Sequence, residues 1–463
     1  MKITDKVFQA LDTWGDHPAY IEILPDDSPV YTSAKRLREK INEGREFLKE
    51  SGIRRNYLVA SFLGNSVDFV SVFLALMDMG AKPIPVNLAF RKIELDEIFS
   101  KSEPHAVIAE EQFLPLIGPY LKGKIVILRS KGKFSLHQSA TNKQEPADIE
   151  DSIASINYTY RGHGYPLGAM VPHGQYLMGA EVLLKGLKPK PGENMLVILP
   201  FYYIFPLIGC LFVPLLNKMT STLSPTVNPL KLFQYIPQYN INIITAVPEI
   251  YELLLNCREE STDLSSLKSF ISGGSALTKK KYQTIKEAFD VELLHGYGLT
   301  EFTPISRNIR RQSRAGTIGP FCDGIEYKIS FADMKGHGEI LIKNPHMTKS
   351  YYRQEKETQE AFVDGWFKTG DIGRIEGDHL VFIKEKKNTR KLKGNMIDLE
   401  EVKKAVLSYP KIMDASIDFN DNTLSARIKM DTDEDIKDEV IKIKQYLRNI
   451  IAAYKIPKVM NRI

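Results

Sequence analysis

Residues 57–87 read YLVASFLGNSVDFVSVFLALMDMGAKPIPVN. YLVASFLG is a short apolar run closed by a glycine, which predicts a buried strand. Residues 68–79 then carry apolar side chains at helical spacing, Gly80 stops the helix, and KPIPVN returns to strand. Strand, helix, strand is the repeating unit of a parallel sheet covered by helices. Working outward, residues 33–52 read as a preceding helix. Further cycles recur around AVIAE (106–110), KIVILRS (124–130), MLVILP (195–200) and NIITAVP (242–248). After Gly316 the texture changes to short strands separated by turns: TIGPF, GIEYKIS, GEILIKN and HLVFIKE, a smaller β-rich subdomain. Beyond the basic run KEKKNTRKLK (384–393) the pattern is helix, strand, strand, helix. By composition alone, that run serves as a solvated connector, an anion-binding strip or a hinge.

The 463 residues amount to roughly three domain equivalents. Hydrophobic residues make 43% and charged residues 26%, which excludes a disordered or collagen-like chain. With 62 Lys and Arg against 57 Asp and Glu, the net charge of +5 is too thin over this length to name nucleic acid as a partner. Cys210, Cys257 and Cys322 stand far apart without metal-like spacing, as expected in a reducing compartment, and the cytoplasm is the expected location. The start, MKITDKVFQALDTW, is amphipathic and reads neither as a signal peptide nor as an anchor. The apolar run 201–216 holds Pro206 and Pro214 and falls short of the roughly 18–20 residues of a bilayer span, so no transmembrane segment is expected.

Three segments carry chemistry. In YTYRGHGYPLG (158–168), three glycines lie among hydroxyl and basic side chains, so backbone N–H groups can approach an anion. The same glycines also suit a plain turn. In HGYGLTE (295–301), preceded by SGGSAL (272–277), a carboxylate stands beside a hydroxyl in a glycine-permitted turn, which suits Mg²⁺ with a triphosphate or a simply capped turn. In GWFKTGDIG (365–373), Asp371 follows a glycine turn and either grips a vicinal diol or closes the turn.

In this order the segments resemble the adenylate-forming superfamily of acyl-CoA synthetases, aryl-CoA ligases, luciferases and peptide-synthetase adenylation domains. The resemblance runs nearly the whole chain: LALMDMGAKPIPVN (74–87), the glycine loop, ILPFYYIF (198–205), AVPEIYELLL (246–255), DLSSLKSFISGGSAL (263–277), GYGLTE, GEILIKN, SYYRQEKETQEAFVDGWFKTGDIG (350–373) and KLKGNMIDLEEV (391–402). It implies an α/β protein: a large N-terminal domain of layered α/β subdomains plus the β-rich subdomain (1–386), and a small mobile α+β C-terminal domain (387–463) that ends short of the family's last motif. It also implies that Mg-ATP converts a carboxylic acid to an acyl-adenylate. A thiol, either coenzyme A or the phosphopantetheine of an acyl carrier protein, then accepts the acyl group.

Residue by residue, the resemblance places nucleotide at Thr159, Arg161, Gly162, His163 and Gly164 of the loop. It adds Gly273, Gly274, Ser275, Ala276, Tyr297 and Gly298 near adenine, Thr300 on the α-phosphate and Asp371 on the ribose. Glu301 is the expected Mg²⁺ ligand and Lys387 the hinge; with Thr300 these form the catalytic set. The acyl group is expected against Phe201, Tyr202, Tyr203, Ser272 and Gly296. Relatives that activate α-amino acids carry an aspartate in the segment matching Pro200-Phe-Tyr-Tyr203, absent here, and an unpaired ammonium would be costly among these apolar groups. A medium- or long-chain fatty acid is therefore expected over an aryl acid.

The sequence also departs from the family. In the loop usually reading Tyr-Thr-Ser-Gly-Thr-Thr-Gly-x-Pro-Lys-Gly, Arg161 replaces a glycine, Gly162 and His163 replace two threonines, and Leu167 replaces the lysine. Glu385 stands where an arginine precedes the hinge lysine, and Tyr203 where many ligases carry histidine. The Pro-Arg-Thr-x-x-Gly-Lys motif expected after Tyr454–Lys458 is not within the 463 residues. If these residues are the whole protein, adenylation is expected to be impaired unless another cation substitutes. The alternative expectation is a catalytically degenerate regulatory module that binds nucleotide or acyl-adenylate.

Overall fold

The computed structural model describes residues 1–141, 145–385, 388–392, 394–420, 422–431 and 436–462. Its opening unit is the one expected: strand Leu58–Phe62, helix Val67–Met79, strand Lys82–Pro85. Ser66 caps the helix by accepting from the Phe69 N–H, and Gly80 closes it in the left-handed conformation at φ 74°. The helix is buried from Val67 to Met77 and is accordingly mostly apolar, with buried Asp68 paired to Lys40 and Arg129.

These strands belong to a five-stranded sheet with Ala106–Glu110, Ile125–Ser130 and Lys133–Gln138; all but the last pair run parallel. An eight-stranded sheet forms the second layer. Its central strands, from Glu292–Leu299 through Ser269–Ser272, Ile241–Ala246, Asn194–Val197 and Thr220–Leu223 to Pro18–Ile23, are parallel, and Phe302–Arg307 and Pro29–Ser33 flank them antiparallel. The β-rich subdomain is a six-stranded antiparallel sheet containing Glu326–Ser330, Gly338–Lys343, Trp366–Glu376 and His379–Glu385. The C-terminal part follows the expected order: helix Leu399–Leu407, strands Ile412–Asn420 and Thr423–Met430, helix Ile436–Ile450. A hairpin, Thr389–Leu392 with Asn395–Asp398, leads into it.

Two local readings are refined. The glycine loop does not pass directly into a helix. Leu167–Pro172 first pairs antiparallel with Ile153–Thr159, because LGAMVP is buried enough to form a strand of its own, and helix His173–Leu187 follows. The loop is thus a hairpin tip. The apolar stretch 201–216 is helical from Ile204 to Leu216, with a π-helical turn at Leu207–Phe212 between its two prolines. It is a buried wall, and no described helix is long and apolar enough to cross a membrane.

Candidate active site

The carboxyl ends of parallel strands, where the chain turns outward, are the customary place for a ligand in such a sheet. A cavity of about 410 Å³ lies there. Ser272, Gly273 and Gly274 reach it from the end of strand Ser269–Ser272, and Gly296, Tyr297, Gly298 and Thr300 reach it from Glu292–Leu299 and the turn that follows. Thr159, Tyr202 and Tyr203 form the opposite wall. Thus ten of the residues expected at the site from sequence surround one space. Glycine is required at 298, where an added Cβ would lie 2.0 Å from the Thr303 hydroxyl.

A second space of about 400 Å³ adjoins the first through Gly274, His295, Gly296, Tyr297 and Gly298, and Ser275 and Ala276 line it. The hairpin of the C-terminal part brings Arg390 and Lys391 to its rim, beside Lys281, Lys384 and Glu385. This is a polar, charge-lined compartment, with Glu249, Glu252 and Glu385 among the cations Lys281, Lys384, Arg390 and Lys391, next to an apolar one, and its cations suit phosphate on one side as the apolar wall suits hydrocarbon on the other.

Asp371 is buried and accepts a hydrogen bond of 2.6 Å from the Tyr297 hydroxyl, so the carboxylate expected at the ribose and the ring expected at adenine are already joined. Tyr203 donates to Asn395 Oδ1 at 2.7 Å and accepts from Asn87 Nδ2 at 3.1 Å, tying the wall of the cavity to the C-terminal hairpin. Burial pushes the Tyr203 phenol well above its ordinary pKa, so it stays protonated and acts as a donor. Burial likewise lowers His295 to about 4, leaving a neutral imidazole with Nδ1 3.1 Å from the Ser272 hydroxyl. Glu385 is raised from 4.5 to about 7, first by burial, with Lys391 opposing and Asp371 adding to it.

The glycine loop is arranged differently from a phosphate cradle open to the cavity. Arg161 turns inward: its Nη1 donates to Glu301 Oε1 at 3.1 Å, and its guanidinium lies 4.6 Å from the Phe367 ring centroid. The Tyr351 hydroxyl donates to the same Glu301 oxygen. Glu301 is 1% exposed and Arg161 5%. Burial works against the guanidinium's charge, but Tyr351 and Glu301 outweigh it and hold its pKa above the ordinary value. Mg²⁺ needs carboxylate oxygens free of competing cations. A carboxylate already neutralised by a buried guanidinium does not offer them, so the residues here do not fit a Mg²⁺ ion on Glu301. No cluster of three or more metal-ligating side chains occurs among the described residues. Further along, the Gly164 N–H donates to Asp398 Oδ2 at 3.0 Å, and the His163 carbonyl accepts from Lys404 Nζ at 3.4 Å. Gly162 and Gly164 both have φ near +80°, at +84° and +78°. One donor of the loop, the Gly164 N–H, and one acceptor, the His163 carbonyl, are therefore engaged by the C-terminal part.

Phe201 lies apart from the expected acyl site. Its ring stacks on Phe69 at 5.4 Å in the core, and Tyr202 and Tyr203 alone of that trio face the cavity. Lys387 lies outside the described residues. Four cavity residues were not among the expected site residues: His295, Arg307, Asn395 and Tyr454. His295 opens HGYGLTE, Asn395 lies within KLKGNMIDLEEV and Tyr454 opens the segment Tyr454–Lys458, so those motifs could have pointed to them, whereas Arg307 lies outside them.

Comparison with known proteins adds to this geometry. The model of the family described as AMP-binding enzyme matches residues 7–352. The chain is 25% identical to a long-chain-fatty-acid–CoA ligase of Bacillus subtilis (strain 168), over 89% of this chain and 83% of that protein. It is 23% identical to 4-coumarate-CoA ligase 1 of Narcissus pseudonarcissus, over 97% and 87%. Among solved structures, an o-succinylbenzoate CoA synthetase from Bacillus subtilis aligns with a TM-score of 0.84 at 21% identity, covering 99% of this chain and 94% of that one. An amide bond synthetase from Marinactinospora thermotolerans aligns at 0.85 and 17%, covering 100% and 96%. Both likenesses concern the fold, a large α/β body followed by a small C-terminal part.

Proposed function

The chain belongs to the AMP-binding enzyme family, and from that premise we propose that it is an AMP-forming acid–thiol ligase. In the first step a carboxylate oxygen attacks the α-phosphorus of ATP, and the bond to pyrophosphate breaks. In the second a thiolate attacks the acyl carbon, and the carbon–oxygen bond to AMP breaks; the thiol proton passes to solvent. The observation that carries the reading is the pair of adjoining compartments that meet at Gly274 and at Gly296 to Gly298.

We assign Thr300 to the α-phosphate, Tyr297 with Gly273 to Ala276 to the adenine, and Asp371, freed from Tyr297, to the ribose hydroxyls. Arg390 and Lys391 stand where they can neutralise phosphate charge, the largest electrostatic requirement of such a transfer. Magnesium enters no step of this account. The acyl body lies along Tyr202, Tyr203, Phe205 and Ile208, which favours a medium- or long-chain fatty acid, and coenzyme A or the phosphopantetheine of an acyl carrier protein accepts the acyl group. The small C-terminal domain, from 387 on, is assigned the movement between the two steps about Lys387. The three unpaired cysteines accord with the cytoplasm.

A second reading is a nucleotide- or acyl-adenylate-binding module without turnover. The Arg161–Glu301 pair and the Asp398 carboxylate on the Gly164 N–H favour it, since both occupy groups that the reaction would use. Exchange of labelled pyrophosphate into ATP, measured across a panel of fatty and aryl acids, separates the two. Acid-dependent exchange that Asp371→Ala abolishes supports the ligase. Calorimetric ATP binding with no exchange for any acid supports the silent module.

A further inference from the structure

At one edge of the apolar cavity stands a guanidinium. Arg307 ends the edge strand Phe302–Arg307, opposite Gly296 of the neighbouring strand, and lines the cavity together with Leu183 and Leu187 from the last turns of helix His173–Leu187. It is 8% exposed. Its Nε donates to the Val182 carbonyl at 3.0 Å, which fixes the plane of the group. Gly186 leaves the space the group occupies: an added Cβ would lie 2.7 Å from Cζ and 2.8 Å from Nη1. Among the described residues, neither Nη nitrogen has a hydrogen-bond acceptor or a carboxylate partner, so the N–H groups of both remain to be satisfied.

That combination bears on what fills the cavity. A wholly hydrocarbon chain packed against Arg307 would displace water from a cation and give nothing in return, a costly exchange in an apolar setting. A substrate with an acceptor at the same point satisfies the guanidinium instead, and a carboxylate does so in the bidentate fork geometry that arginine presents. The selectivity is of the strong kind. A site built around a buried polar group rejects the analogue lacking its partner far more sharply than an apolar pocket rejects an extra methylene.

We propose that Arg307 is a specificity-determining residue, and that the medium- or long-chain acid activated here is not a plain fatty acid but one that carries a second acceptor, a carboxylate or a comparable oxygen group, at the end remote from the reacting carboxylate. The proposal rests on the ligase reading for which carboxylate reacts. It concerns the other end of the molecule, and its binding arm is independent of turnover.

The test compares octanoate with octanedioate, equal in chain length, in wild type, Arg307→Met and Arg307→Lys. Calorimetric binding and acid-dependent pyrophosphate release are both measured. Wild type is expected to bind and turn over octanedioate at least 10-fold better than octanoate. Arg307→Met is expected to erase or reverse that ratio while leaving KM for ATP within 2-fold, and Arg307→Lys to retain part of it. If both acids are activated and the ratio is the same in all three proteins, Arg307 does not read the substrate and the proposal falls while the ligase reading stands. If octanedioate binds preferentially through Arg307 but no pyrophosphate is released, the proposal stands and the ligase reading falls. Should Arg307→Met fail to fold, a wild-type preference for octanoate in binding is sufficient to overturn the proposal.

Discussion

Replacing Lys455 by methionine probes how the C-terminal part is held on the body. Its ammonium is fully buried and lies 3.0 Å from Glu94 Oε1 and 2.8 Å from the Tyr160 hydroxyl, and it also donates to Glu401 Oε2. Glu94 belongs to helix Lys92–Ser102 of the N-terminal body, Tyr160 to the glycine hairpin, and Glu401 to helix Leu399–Leu407, so one cation joins three segments distant in sequence. Both carboxylates are 0% exposed. Removing the cation strands two buried carboxylates, which typically costs about 3–5 kcal/mol. Burial already holds Glu401 above the ordinary carboxylate range although Lys455 opposes it, with Glu94 adding to the rise. A carboxylate raised in the folded state contributes most stability below its unfolded pKa and loses it as pH climbs through the folded one. The variant's deficit should therefore be largest near pH 8 and shrink toward pH 5.5. Urea unfolding followed by far-ultraviolet circular dichroism at both pH values measures it. Adding Glu401→Gln to Lys455→Met should restore part of the loss, because one of the stranded charges is gone. A deficit below about 1 kcal/mol, equal at both pH values, would instead mean that the cluster is hydrated or already neutral and that Lys455 does not hold the C-terminal part in place.

Two further outcomes follow from other buried charges. Glu385, raised from 4.5 to about 7, contributes stability below pH 4.5 and loses it as pH rises through about 7. Glu385→Gln should flatten urea midpoints between pH 6 and pH 8.5, with a gain at the upper end of at most about 3 kcal/mol; a pH profile parallel to wild type would contradict this. Arg161→Gly uncovers the Glu301 carboxylate, so Mn²⁺ titration followed by electron paramagnetic resonance should show a bound ion in that variant, absent from wild type and lost again in Arg161→Gly with Glu301→Gln. A Glu301-dependent Mn²⁺ signal in the wild type would show that the guanidinium does not close the site.

Much of the architecture was readable because its signals are local. The helix 67–79 announces itself by a mostly apolar stretch, broken only by Asp68, Ser71 and Asp78, between Ser66 and Gly80, and both ends are capped as those residue types allow. The turn at Gly273 was likewise legible, whereas Gly296 and Gly298, expected in a turn, lie within strand Glu292–Leu299, and glycine is needed at 298 because the backbone there passes close to Thr303. What the sequence concealed depends on partners far along the chain. Arg161 reads as an outward cation beside a phosphate until Glu301 and Phe367 are folded against it. In the run 201–205 every residue is aromatic or aliphatic, so no periodicity told that Phe201 faces the core while Tyr202 and Tyr203 face the cavity. Arg307 is the first of four arginines in RNIRRQSR (307–314), a stretch that reads as solvated, and only the coincidence of Gly186, Val182 and an apolar cavity sets it apart. The lysine expected at 387 lies outside the described residues, and its role rests on the resemblance.

In an AMP-forming ligase a carboxylate oxygen of the acid becomes an oxygen of AMP. Supplying an acid labelled with oxygen-18 in its carboxyl group, with ATP and coenzyme A, and weighing the products by mass spectrometry tests this directly. One heavy oxygen on AMP, with pyrophosphate unlabelled and a thioester formed in equal amount, is the predicted result. Unlabelled AMP, or ADP and phosphate in place of AMP and pyrophosphate, would contradict it.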